Sequence, residues 1–128
     1  MAKTLATIFG VVFVLIGLLG FVGNSLVGSG AIFEADTAHN LVHLALGLIL
    51  LVVALWAPAR SVLWLKIIGA IYLFIALLGF VLTPSMGTLL GLISVNGSDN
   101  WLHLVFGIAL MAAGYLTRGE MRSTLMGA

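Results

Sequence analysis

No cysteine occurs in the chain, which excludes both a disulfide framework and a thiolate metal site. Charge is almost as scarce. Only 7% of the residues are charged, against about a quarter in a soluble domain. Five basic residues and four acidic ones leave a net charge of +1, too slight a surplus to attract nucleic acid, and no such partner is expected. Proline appears only twice, so long stretches are free of helix breakers. No Ser/His/Asp or Cys/His set is spaced for nucleophilic catalysis, and no pair of intramembrane carboxylates is placed for acid–base work. No enzymatic activity is therefore expected.

What the chain has in excess is apolar surface. Of its 128 residues 62% are hydrophobic, and the mean hydropathy is +1.30. Such a chain cannot cover itself with polar side chains, so the lipid bilayer takes the place of water. The length fits one transmembrane domain, 1–128. Four apolar stretches cover about 5–22, 38–57, 62–82 and 100–116, each long enough for about 30 Å of hydrocarbon. Asp36 or Thr37 is placed to cap the second, and Ser98 or Asp99 the fourth. Pro58 closes the second stretch and Pro84 follows the third. Trp56 and Trp64 mark one interface and Trp101 the other.

Lys3, Arg60, Lys66, Arg118 and Arg122 fall near the N-terminus, the middle turn and the C-terminus, which share one side of a four-span topology. Glu34, Asp36 and Asp99 fall on the other side, with Glu120 alone among the bases. The positive-inside rule makes the basic side cytoplasmic and turns the two longer loops, about 23–37 and 83–98, outward. The first 23 residues resemble a cleaved signal peptide, but the same segment recurs in mid-chain.

That recurrence is the most informative feature of the sequence. Residues 10–22 align with 69–81 at an offset of 59, sharing Leu-Leu-Gly-Phe-Val. Asn40-Leu-Val-His43 aligns with Asn100-Trp-Leu-His103 at an offset of 60. Each copy, about 5–57 and about 62–117, holds two spans, so both point the same way through the membrane. The expected fold is all-α: a polytopic membrane four-helix bundle made of two parallel-repeated helical hairpins. Inverted repeats, the stronger sign of alternating access, are lacking, which lowers the transporter reading.

Several motifs mark out a family: Gly20-Phe21, His39-Asn40 with His43, Ala59-Arg60, Gly79-Phe80, Val95-Asn96-Gly97, and Asp99-Asn100 with His103. In these the chain resembles the bacterial four-helix membrane family catalogued as domain of unknown function 4383, over nearly its whole length. The resemblance implies the fold and a multi-pass place in the bacterial inner (cytoplasmic) membrane with both termini cytoplasmic. It implies no activity.

All three histidines, with Asp99, Asn40 and Asn100, sit in the first turns of the second and fourth spans. His39 and His43 lie on one helix face. His43 and His103 are repeat equivalents, while Asp99 replaces His39 in the second copy. The structural reading has the histidines and asparagines tie the hairpins together as polar glue. The ligand reading gathers His39, His43, His103 and Asp99 around a metal ion, or makes His43 and His103 axial ligands of a haem or chlorophyll-type pigment. Gly10, Gly17, Gly20, Gly69 and Gly79 are expected to let helices approach closely. The leading expectation is a structural or accessory subunit that self-associates or joins a larger membrane complex. Metal or pigment binding is the alternative, and an oligomeric transporter or channel component comes third, since the inner halves of the spans lack a polar path.

Overall fold

The chain is mostly helical. In the computed structural model, which describes residues 1–118, 126 and 127, the elements are α1 (Ala2–Leu19), β1 (Val27–Gly28), β2 (Phe33–Glu34), α2 (Thr37–Trp56), a 3-10 turn (Pro58–Arg60), α3 (Ser61–Leu82), β3 (Met86–Leu89), β4 (Ile93–Asn96) and α4 (Gly97–Leu116). Glu120 and Arg122, which entered the charge argument, lie outside the described residues. Among those described, three helices are long and apolar enough to cross a membrane: α1, α2, and α3 with its preceding turn. The 20-residue α4 has the length. Asp99, Asn100 and His103 in its first two turns lower its hydropathy and keep it out of that set.

The helix ends have local causes, and two differ from the sequence expectation. The first helix stops at Leu19 rather than near Val22. Asn24 ends it: its side-chain amide donates to the carbonyls of Leu19 and Val27, both at 2.9 Å, while its Oδ1 accepts from the N–H groups of Leu26 and Val27. The fourth begins at Gly97, and its cap is Asn96 rather than Ser98 or Asp99. Asn96 Oδ1 accepts from Asp99 N–H, and the Asp99 carboxylate accepts from Asn96 N–H, a capping box. Asp36 caps α2 as expected, accepting from His39 N–H at 2.8 Å. Pro58 brings α2 to its end, since it has no N–H to continue the helix.

α1 packs chiefly on α2, and α3 on α4. Glycine makes both contacts close. A Cβ on Gly10 would stand 3.0 Å from Gly47 O, and one on Gly17 would stand 2.9 Å from Asn40 O. In the other pair, a Cβ on Gly69 would meet Met111 N at 2.9 Å. Gly20 and Gly79 leave room for the side chains of Asn40 and Asn100, whose amide groups occupy the space a methyl would need. All five glycines singled out in the sequence thus lie where another helix presses closest.

Where the pairs meet, Phe13, Leu50, Leu65, Ile68 and Leu110 are fully buried. The outer faces are also apolar. Leu48, Phe74 and Val105 are each more than half exposed, a pattern that water penalises and hydrocarbon accepts.

The loops between α1 and α2 and between α3 and α4 hold short sheets that the sequence reading did not anticipate. β1 pairs in parallel with β2, and β3 pairs antiparallel with β4, Met86 opposite Asn96 and Leu89 opposite Ile93. The β3–β4 turn has Leu90 and Gly91 both at positive φ, as a tight hairpin requires. These sheets lie over the end of the molecule where α2 and α4 begin, and β2 touches β4.

Candidate functional site

The site is built on the first two turns of α2 and α4. His43 and His103 each lie six residues beyond the start of their helix, about 9 Å along it at 1.5 Å per residue. His39, one turn earlier on α2, shares a face with His43. The three rings converge: centroids are 4.7 Å apart for His39 and His43, 5.5 Å for His39 and His103, and 6.4 Å for His43 and His103. One ring nitrogen from each histidine lies within 4.8 Å of the other two, and all three residues are buried.

Hydrogen bonding fixes the state of one ring. His39 Nδ1 lies 2.8 Å from Ser94 O and 3.1 Å from Glu34 O. Both partners are carbonyls, so Nδ1 carries the proton and Nε2 keeps a bare lone pair. Among the described residues that Nε2 has no hydrogen-bond partner, nor have His43 Nδ1 and His103 Nδ1. Three buried nitrogens without partners in one place are unusual, because buried polar atoms are nearly always paired. The rings rest on an aromatic floor. Tyr72 meets His103 edge-on at 5.4 Å, and Phe13 lies parallel to His43 at 6.3 Å. Between α2 and α3 the three histidines and Tyr72 line a cavity of about 70 Å³ whose other walls are aliphatic. A second cavity of about 150 Å³ lies toward α1 and α4 and is lined by His39, His43 and Asp99 among others.

The structure does not bring Asp99 into the group of three. Its Oδ2 accepts from the N–H groups of Asn96, at 2.8 Å, and Glu34, at 3.0 Å, and so ties α4 to β2. Asp36 does the reverse service from the other half. Its Oδ2 accepts from both the N–H and the hydroxyl of Ser94 at 3.0 Å. Burial pushes the Asp36 carboxyl upward, but the bonds from His39 and Ser94 outweigh it and hold the group below the usual carboxylate range. Asn100 donates to Thr83 O at 2.8 Å, joining the start of α4 to the end of α3, while Asn40 packs against Gly20. The asparagines thus serve contacts within each hairpin, apart from the imidazole group.

With this geometry in view, comparison with known proteins gives a match of the family model described as Domain of unknown function (DUF4383) to residues 3–116. The chain belongs to this family. No curated protein matches it, and no solved structure does.

Sequence reasoning missed Tyr72. A lone tyrosine in an apolar helix reads as core, and the one available signal was its alignment with Phe13 at the repeat offset. It also missed the part played by Glu34 and Ser94, whose carbonyls orient His39. Those bonds come from the unanticipated strands.

Proposed function

We propose that this small membrane protein carries a transition-metal ion on His39, His43 and His103, near the outer face of the membrane, and acts as a binding protein rather than an enzyme. The observation that carries the reading is the convergence of three buried imidazoles, one ring nitrogen of each within 4.8 Å of the other two. Each ring also has a buried nitrogen without a partner among the described residues, and His39 is held through its Nδ1 by backbone carbonyls. A metal-bound histidine usually donates its other N–H in just this way. A tetrahedral ion at about 2.0–2.1 Å holds nitrogens about 3.3 Å apart, so modest ring rotations would close the set from its present 4.8 Å. Purely structural histidines would have their nitrogens paired. The tetrapyrrole alternative fits less well, because a cavity of about 70 Å³ cannot take a macrocycle.

The frame we propose for this site is a four-helix bundle of two parallel-repeated hairpins in the bacterial inner membrane, with both termini and the Arg60 turn cytoplasmic. The repeat-related contacts of Gly20 with Asn40 and Gly79 with Asn100 support the duplication, as does the stacking of Phe13 on its counterpart Tyr72. Little projects from the helices among the described residues beyond two short sheets. This favours an accessory subunit, as a homo-oligomer or within a larger membrane complex.

Elemental analysis of the protein purified in detergent tests the metal. One equivalent of zinc, copper or iron is expected in wild type, with near-complete loss in His43→Ala and in His103→Ala. If the lone pairs merely accept from enclosed water, wild type will hold only background metal. Background metal in wild type, or full metal in both variants, ends the proposal.

A further inference from the structure

The two copies of the hairpin are not identical, and two of their polar differences fall in one place. At the offset of 60, His39 faces Asp99; at the offset of 59, Phe13 faces Tyr72. The first difference adds a third imidazole to the pair formed by His43 and His103. The second adds a tyrosine to the lining of the cavity those imidazoles share, its ring 5.4 Å from that of His103. Tyr72 is only 4% exposed, and its hydroxyl has no hydrogen-bond partner among the described residues. Packing does not call for that hydroxyl. Phe13 fills the repeat-related position without one and stacks on the Tyr72 ring at 5.1 Å and 2°. A buried, unpaired hydroxyl costs free energy that phenylalanine would avoid.

Charge supplies the second argument. Three neutral imidazoles leave a divalent ion fully charged in a low-dielectric setting, which is costly. Asp99 lines the neighbouring cavity with His39 and His43, but its Oδ2 is held by the N–H groups of Glu34 and Asn96 and it stands outside the three converging residues. Among the described residues lining the cavity that all three histidines share, the only other side chain able to become an anion is Tyr72.

We propose that Tyr72 is the fourth donor of the site and binds the ion as a phenolate. The metal–oxygen bond forms as the O–H bond breaks, and the proton passes to solvent, so the site loses one unit of positive charge. The proposal rests on the three-histidine reading and sharpens it. Three imidazoles with an anionic oxygen suit Cu(II) or Fe(III) better than Cu(I), which prefers sulfur.

Titration of Cu(II) into the full chain in detergent tests this. Copper-loaded wild type is expected to show an intense visible phenolate-to-copper band, with tyrosinate ring modes enhanced in resonance Raman spectra. Tyr72→Phe is expected to lose the band while still taking up copper, with affinity lower by about tenfold or more, the scale on which supporting groups tune metal sites. Wild type that binds one copper without the band overturns the Tyr72 assignment alone, as does a band that persists in Tyr72→Phe. Wild type that takes up no copper overturns this assignment together with a copper site on the three histidines. Should Tyr72→Phe fail to fold, the Raman spectrum of loaded wild type decides the matter by itself.

Discussion

Gly79 and Asn100 show how a single hydrogen in place of a methyl can decide a helix contact. The Asn100 side chain occupies the space a Cβ on residue 79 would need, and it is fixed there by its bond to Thr83 O. Gly79→Ala is therefore expected to lower stability by about 1–3 kcal/mol, the usual cost of overpacking, seen as a lower thermal midpoint in detergent. Combining it with Asn100→Ala should cost clearly less than the sum of the two single changes, because the clash disappears with the amide. At this scale much was legible in the sequence. Gly10, Gly20, Asn40 and His43 stood out because like residues recur at Gly69, Gly79, Asn100 and His103. His39 and Tyr72 each appear in one copy only: the four-residue spacing already placed His39 beside His43, whereas only spatial packing joins Tyr72 to the histidines.

The helices were legible as elements because their hydrophobic runs are long, whereas their outer ends were not. The sequence placed the cap of α4 at Ser98 or Asp99, since both are good capping types close to the apolar run. The cap is Asn96, because β4 delivers that residue in the extended backbone a cap requires, with φ −130° and ψ −177°. Strands of two or four residues leave almost no periodicity to read, and β1 and β2 have only two each. Asn96 does double duty, since its amide also donates to Ile32 O at 3.0 Å. Asn96→Ala is expected to destabilise the protein by about 1–2 kcal/mol, the range for a lost cap, while Asn96→Asp should keep most of the capping. Thermal unfolding of the two variants in parallel checks this, and equal midpoints would contradict it.

For the molecule as a whole, hydropathy and the distribution of basic residues carried the argument from sequence to membrane. They lead to a definite expectation for topology. Cysteines introduced at Lys3 and Arg60 should react with an impermeant maleimide only from the cytoplasmic side, and one at Ser98 only from outside. Labelling of Arg60→Cys from the side opposite Lys3→Cys would refute the two-hairpin arrangement. What no sequence pattern announced is the way the halves are joined. Asp36 reaches Ser94, Glu34 N–H reaches Asp99, and the His39 ring bonds to backbone from both halves. These partners are 55 to 65 residues apart when they cross between halves, and nothing local encodes such a pairing.

That crossed set of bonds has a mechanical consequence. Each hairpin grips the loop of the other at the sheets, and the Pro58–Arg60 turn ties α2 to α3 at the opposite end, so the molecule resembles a box with a hinge on one side and a clasp on the other. If the two halves ever part, they swing about the Arg60 turn, and what opens is the clasp that holds His39 against Ser94.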